Sequence, residues 1–214
     1  MTGRVLYACY GSNLAAARLT CYLEGGTPPG GVWPNPGCRD PSPPRRSLPV
    51  WLPGQTWFAR HAEQWAGAVA FLDPDAPGSS PGHAYDLSAE QLADVITQEG
   101  RRPPPGDLDV DAVTAAGRLT LDDGWYGTCI HVGELEGLPL LTFTAPWHLG
   151  DVPPAAPSAQ YLQLLVEGLG EAHGWESETA VRHLMTCPGV APRWSEETLL
   201  AAVRRGSGSP RRRR

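Results

Sequence analysis

The first hydrophobic pattern in the chain is a short alternating segment that ends in a turn. Residues 5–10 place apolar or aromatic side chains on both faces of an extended backbone. That pattern predicts a strand in the centre of a sheet, buried on both sides. Residues 11–13 interrupt it, and residues 14–24 then predict a helix that Ser12 or Asn13 caps and two glycines end.

Six further segments have the two-residue period, or the aromatic and β-branched content, that is typical of strands. The last two are separated by Glu134–Gly137, which predicts a hairpin turn between them. The predicted strands are 57–59, 65–72, 83–87, 117–121, 125–132 and 138–144.

The helix signal with the most local support begins at Ser88. Ser88 and Gln91 have the spacing of a capping box, and Leu87 and Leu92 have the spacing of a hydrophobic staple around it. An apolar stripe follows over three turns, and the helix is expected to run to Glu99, where a glycine ends it.

The remaining segments are connections and C-terminal helices. Residues 27–53 are rich in proline without a usable period, which predicts a long irregular connection, either a lid or a mobile loop. Residues 101–111 are a second Pro- and Asp-rich stretch. Helices are predicted from Ser158 to Leu169, at 177–185 and at 195–203.

These elements predict an α+β fold: a small, mixed, mostly antiparallel and barrel-like sheet flanked by helices. The length of 214 residues suits one domain, which we assign to residues 1–203. Residues 204–214 read as a disordered Arg-rich tail. No run of about 20 apolar residues and no signal peptide is visible, so we expect a cytoplasmic protein without a membrane partner.

Charge and cysteine content narrow the function classes further. The formal charge is −6, but six of the 17 Lys and Arg residues lie in the last eleven positions, which leaves 11 against 23 acidic residues elsewhere. Residues 1–203 are therefore strongly acidic, which disfavours nucleic acid as a partner. Only the Arg-rich tail could contact a polyanion. Five scattered cysteines and six scattered histidines indicate neither a disulfide framework nor a metal site.

The junction after the first strand is the first place where chemistry is expected. A strand, a Gly-Ser-Asn turn and a helix N-terminus bring oriented backbone amides together, and such amides suit a carboxylate or a developing oxyanion. Gly11 permits close approach, while Ser12 and Asn13 add side-chain hydrogen bonds. The plain structural alternative is a helix cap with no ligand.

Glu99 is the second such place. It follows Val95 by four residues and Ile96 by three, so it shares the stripe that faces the core. Partial burial and a helix C-terminus both disfavour a charged carboxylate, so its pKa is expected to rise toward neutrality. The plain alternative is that its side chain reaches out to water.

The segment Tyr7-Ala-Cys-Tyr-Gly-Ser-Asn-Leu14 resembles the N-terminal signature of the γ-glutamyl cyclotransferase family, and further features follow in the family's order over about residues 4–175. They are a Pro-Gly and aromatic strand at 53–58, Trp65-Ala-Gly67, the helix ending at Glu99, Tyr126, and Pro157–Tyr161. Departures include Cys9 and Ala66, where alanine and glycine are common, and a long segment between Glu99 and Tyr126.

The resemblance implies a cavity between the Tyr-Gly-Ser-Asn loop and the glutamate. It implies that Glu99 is the catalytic acid/base and that a cofactor-free reaction turns a small γ-glutamyl compound into 5-oxoproline and a free amine. It also implies a substrate-binding set: Tyr7, Tyr10, Gly11, Ser12, Asn13, Tyr126 and Tyr161.

The leaving amine and the activity itself stay open on the sequence. Glutathione, a γ-glutamyl amino acid, a γ-glutamyl-lysine isopeptide and a γ-glutamyl-protected biosynthetic intermediate are all candidates, and the protein is expected to be a monomer or a homodimer. One rival hypothesis is a non-catalytic small-molecule-binding module on the same fold, with an Arg tail that contacts a polyanion. Another is a cysteine hydrolase that uses Cys9 or Cys129 with His131.

Overall fold

A computed structural model describes residues 3–28, 31–100, 107–191 and 193–207 of the chain. The strands are β1 (Arg4–Cys9), β2 (Ser47–Pro53), β3 (Gln55–Ala62), β4 (Gly67–Asp73), β5 (Ser79–Ser88), β6 (Arg118–Thr120), β7 (Thr128–Leu135) and β8 (Leu138–Thr144). The helices are α1 (Ala16–Leu23), α2 (Ala89–Glu99), α3 (Val110–Ala116), α4 (Ala159–His173), α5 (Ser177–Met185) and α6 (Glu196–Ser207).

The main sheet has six strands in the order β2-β5-β1-β8-β7-β6, and β3 and β4 form a separate pair. All strand pairs are antiparallel except β1 with β8. The central strand β1 is buried on both faces, as its apolar alternation predicts. The α+β fold with a mostly antiparallel sheet flanked by helices is therefore confirmed, although the sheet does not close into a complete barrel.

Side chains bridge the gap between β4 and the main sheet. The hydroxyl of Thr144 at the end of β8 accepts a hydrogen bond from Leu72 N at 3.1 Å and donates one to Leu72 O at 2.9 Å. Two positions earlier in β4, Ala70 N donates to the hydroxyl of Tyr161 and Ala70 O accepts from that of Tyr126. These bonds satisfy the backbone N–H and carbonyl groups of Ala70 and Leu72 at the edge of β4, where no strand pairs with them, and they leave room for a cleft beside this edge.

Helix α2 has the predicted capping box. The Ser88 hydroxyl accepts from Gln91 N and the Gln91 side chain accepts from Ser88 N, both at 3.0 Å. The helix ends at Glu99, as predicted, so that this residue lies at the end of a rigid element. Helix α4 packs tightly on the junction after β1, because a side chain at Gly168 would overlap with the backbone of Leu14 and Ala15.

One local prediction of secondary structure is wrong, and one helix was not predicted. Residues 27–53 were expected to be irregular, yet the last seven form β2, an edge strand that pairs only with β5 and so tolerates Pro49 and Pro53. The unpredicted helix α3 is capped by Asp109, whose side chain accepts from Ala112 N. Because it has only seven residues, its apolar period is too short to recognise in the sequence.

The C-terminal boundary also differs from the prediction. Arg204 and Arg205, which the sequence assigns to the disordered tail, lie in the last turns of α6, and Arg204 forms an ion pair with Glu178. Residues 208–214 lie outside the described residues. Within the described part of the chain, no helix combines the length and apolar content needed to cross a membrane.

Candidate active site

A cleft of about 1220 Å³ opens where β1 ends, beside the β4 edge and the last turn of α2. Every site residue predicted from the sequence lines it, although they come from distant parts of the chain. They are Tyr7, Tyr10, Gly11, Ser12, Asn13, Glu99, Tyr126 and Tyr161.

Asn13 connects the junction loop with Glu99. Its Nδ2 donates to Oε1 of Glu99 at 3.2 Å and to the hydroxyl oxygen of Tyr7 at 3.0 Å. Its Oδ1 is buried without a hydrogen-bond partner among the described residues, so it is available to a donor in the cleft. Asn13 and Tyr7 are buried and Glu99 is half-buried, so the carboxylate is held in place but open to the cleft.

Three carboxylates line the cleft, and they differ in their surroundings. Asp94 accepts from both the backbone and the guanidinium of Arg39, and Glu63 is exposed at the cleft mouth. Of the three, only Glu99 contacts the junction loop.

Five tyrosines line the cleft, and burial raises the pKa of each hydroxyl, to about 12 for Tyr161. The hydroxyl of Tyr10 donates to Phe143 O at 2.9 Å, and those of Tyr126 and Tyr161 contact the Ala70 backbone. At neutral pH these hydroxyls are uncharged, so they orient groups by hydrogen bonding and do not act as bases.

Gly11 permits close packing of the junction against α4 and β4. A Cβ at Gly11 would lie 3.2 Å from the Tyr161 hydroxyl and 3.5 Å from the Cβ of Ala70. A larger residue would therefore push the junction away from α4 and β4 and widen the cleft.

The predicted cap at the start of α1 is wrong, and the N-terminus of α1 is not open to an anion. Ser12–Leu14 form a short 3-10 turn, and α1 begins after Ala15 with no side-chain cap from Ser12 or Asn13. Instead, Oε2 of Glu171 in α4 accepts from Ala16 N at 2.8 Å. A carboxylate from the protein already occupies this helix end, so an anion in the cleft needs another partner.

The sequence reasoning missed Arg18, Tyr22 and Asn35, which line the same cleft. Arg18 donates to the Tyr22 hydroxyl and, at 3.2 Å, to Oδ1 of Asn35. The available signal was a charged residue on the buried face of a helix, next to Leu19 and four residues before Tyr22. The same argument singled out Glu99 and could have found Arg18.

The cysteines of the alternative cysteine-hydrolase hypothesis are not positioned to act as a nucleophile in the cleft. Cys9 and Cys129 are buried and neither lines the cleft. Burial raises the pKa of both thiols, that of Cys129 to about 12, so they stay protonated at neutral pH.

Among the described residues, one group of side chains has metal-ligand spacing. Asp73, Asp75 and His148 bring their ligand atoms within 4.8 Å of one another. They lie away from the cleft, and the Asp73 carboxylate already accepts from Leu149 N and is in hydrogen-bond contact with His148 Nδ1.

Comparisons with solved structures identify the class of fold. A γ-glutamyl cyclotransferase superposes over 95% of this chain and 99% of its own, with a TM-score of 0.53 and 15% sequence identity. An uncharacterized Homo sapiens protein superposes over 94% of this chain and 98% of its own, with a TM-score of 0.52 and 18% identity. The chain therefore has the γ-glutamyl cyclotransferase fold, as its sequence motifs implied.

The sequence comparisons add a longer relative. No protein-family model matches the chain. Histone deacetylase 5 of Arabidopsis thaliana is 30% identical over an alignment of 199 residues, and that alignment covers 84% of this chain. The chain spans 30% of the length of that relative, so the similarity concerns one part of a longer protein.

Proposed function

We propose that the protein is a γ-glutamyl cyclotransferase-like enzyme that converts a γ-glutamyl amine or amino acid into 5-oxoproline and the free amine. The observation that carries the proposal is the contact between Asn13 and Glu99, residues 86 positions apart in the chain that meet in one cleft. The fold is that of a γ-glutamyl cyclotransferase, which is consistent with this chemistry.

Glu99 is proposed to move both protons. Its carboxylate removes a proton from the α-ammonium of the γ-glutamyl group, and the freed amine attacks the γ-carbonyl carbon to form the ring C–N bond. The protonated Glu99 then gives the proton to the departing amine as the original amide C–N bond breaks. The attacking nitrogen still carries one surplus proton when the ring bond has formed, and this proton passes to solvent as the lactam is completed. No cofactor is needed, because nucleophile and electrophile belong to one molecule.

The neighbouring groups hold the substrate in its reactive shape. The unpartnered Oδ1 of Asn13 suits the substrate ammonium, and backbone amides of the junction loop are candidates to stabilise the oxyanion. Tyr126 and Tyr161 are fixed by the Ala70 backbone and orient the glutamyl chain for ring closure.

The test is 5-oxoproline release from a panel of γ-glutamyl compounds, measured by mass spectrometry. Glu99→Gln keeps the size of the side chain but removes its proton transfer, so turnover is expected to fall by about 100-fold or more. Glu63→Gln is the matched control, because Glu63 also lines the cleft but is exposed, and it should keep nearly full activity.

The outcomes separate the hypotheses. Release by the wild type that is lost only in Glu99→Gln supports the proposal, and the best compound in the panel identifies the leaving amine. Full activity in Glu99→Gln would overturn the mechanism. If no compound releases 5-oxoproline, the binding-module hypothesis takes its place.

A further inference from the structure

Arg18 is a buried cation at the wall of the cleft. Only 3% of the residue is exposed, and its Cζ lies 3.9 Å from the centre of the Tyr22 ring and 5.7 Å from that of Trp65. Its Nη atoms donate to the Tyr22 hydroxyl and to Asn35, while its Nε has no partner among the described residues. The guanidinium is thus held by neutral groups, with donor capacity left over.

Arg18 differs from three other arginines in its charge partners. Among the described residues, no Asp or Glu oxygen lies within ion-pair distance of Arg18, whereas Arg4, Arg39 and Arg46 each pair with at least one. A buried charge without a counter-charge is costly, and proteins retain one where a ligand neutralises it. Arg18 lines the cleft, so that ligand can reach it from there.

We propose that Arg18 receives the α-carboxylate of the γ-glutamyl group and so makes the enzyme specific for substrates with a free α-carboxylate. This inference rests on the proposed function. The guanidinium supplies paired N–H donors, which match a carboxylate in shape and charge. It also serves as the anion partner that the occupied N-terminus of α1 cannot provide.

The position of Arg18 relative to Glu99 selects the α-carboxylate over a carboxylate on the leaving amine. The Tyr22 hydroxyl accepts from Arg18 and is close enough to Glu99 that, after burial, the carboxylate charge is the next cause of its raised pKa. The Tyr22 hydroxyl therefore lies near both charged groups, and all three residues line the cleft. In a γ-glutamyl group the amine that Glu99 must deprotonate and the α-carboxylate are attached to the same carbon, so their receptors must be neighbours.

The first experiment compares each γ-glutamyl substrate with its α-carboxamide, which has the same shape but no charge. The wild type is expected to prefer the carboxylate by about 10- to 100-fold in kcat/KM, in line with one charge-assisted hydrogen-bonded pair. Arg18→Gln should abolish that preference, and Arg18→Lys should restore part of it. Arg39→Gln is the control, because Arg39 lines the same cleft but is already paired with Asp94, and it should keep the preference.

A second variant excludes a merely structural role for Arg18. Asn35→Asp puts a carboxylate where Asn35 already accepts from Arg18 at 3.2 Å. That carboxylate would satisfy the guanidinium and compete with the substrate, so KM should rise about 10-fold while kcat and the thermal midpoint stay close to wild type. If Arg18 only stabilises the fold, Asn35→Asp leaves KM unchanged and the inference is overturned.

Binding of the product analogues distinguishes this inference from the proposed function. 5-Oxoproline and its carboxamide are titrated into wild type and Arg18→Gln by calorimetry, which needs no turnover. A carboxylate preference that disappears in Arg18→Gln supports Arg18 as the receptor of the α-carboxylate, even if no compound is cyclised. Turnover without any carboxylate preference in the wild type overturns that role of Arg18 and leaves the cyclotransferase proposal standing. If the wild type neither binds nor cyclises, both are overturned.

Discussion

At the scale of single residues, the placement of Glu99 depends on Asn13. A carboxylate in a half-buried position needs a donor that fixes it without neutralising it, and the Asn13 amide provides that donor at 3.2 Å. The contact also settles the orientation of the amide, since a carboxylate can face only the nitrogen. The same nitrogen reaches Tyr7, so the side chain joins β1, the junction loop and α2 at one point.

Asn13→Asp is expected to reduce turnover at neutral pH by about 100-fold, because it replaces the donor by a second carboxylate beside Glu99. Two adjacent carboxylates share one proton as the pH falls, so part of the loss should be regained in mild acid. The measurement is kcat against pH for the best substrate of the panel. The same Asn-to-Asp change at Asn35 is the comparison, since it is expected to alter KM and not kcat. Equal kcat in Asn13→Asp and wild type would show that Asn13 does not position Glu99.

At the scale of elements, the β4 edge is completed by side chains and not by a strand. The Thr144 hydroxyl is hydrogen-bonded to both the N–H and the carbonyl of Leu72. The hydroxyls of Tyr161 and Tyr126 are hydrogen-bonded to the N–H and the carbonyl of Ala70, respectively. The cleft exists because the pair β3-β4 stands apart from the main sheet at this edge. The two tyrosines that the family resemblance assigns to the site therefore also stabilise the fold at this edge.

Thr144→Val is expected to lower the free energy of unfolding by about 1–3 kcal/mol, because it leaves Leu72 N and O buried and unsatisfied. Thr142→Val is a closely matched control. Thr142 lies in the same strand and is equally buried, but its hydroxyl has no hydrogen-bond partner among the described residues. That change should be neutral or slightly stabilising. Urea denaturation of both variants tests the difference, and equal stability would show that side chains do not hold this edge.

At the scale of the whole molecule, Asp73 ties the end of β4 to the loop between β8 and α4. Burial alone would raise its pKa, but hydrogen bonds from Leu149 N, His148 and Asp75 N outweigh burial and lower it. A lowered pKa means that the folded state holds this proton less tightly than the unfolded chain does. The contribution to stability is therefore present above the ordinary value of 3.8 and is lost as the pH falls through the folded value.

Asp73→Asn is expected to lower the free energy of unfolding by about 1–3 kcal/mol at pH near 7, since the amide nitrogen cannot accept from Leu149 N. The difference from wild type should shrink below a pH of about 4, where the wild-type carboxylate also becomes protonated. Denaturant titrations at several pH values measure it. Asp75→Asn is the control, because its side chain is 60% exposed, and it should change stability by less than about 0.5 kcal/mol. A difference that is constant with pH would contradict the assigned role.

Local signals in the sequence determined several features of this protein. The apolar residues on both faces of β1, the capping box at Ser88 and the spacing from Val95 to Glu99 each involve residues a few positions apart. For that reason they predicted the central strand, the start of α2 and the glutamate on its inner face. The family resemblance then connected Glu99 with the junction loop, and the structure brings all of these residues to one cleft.

Only the tertiary structure decided which groups meet. Asn13 and Glu99 are 86 positions apart, and the carboxylate at the start of α1 comes from Glu171, 155 positions after Ala16. The sequence pattern places Arg18 on the buried face of α1, but the absence of a carboxylate partner for it among the described residues is visible only in the tertiary structure. Thr142 and Thr144 have the same local pattern but opposite hydrogen-bonding states. The hydrophobic pattern that predicts a strand or a helix depends on residues close together in the sequence. Charge pairing and hydrogen bonding of buried groups depend on residues that are close together only in the folded structure.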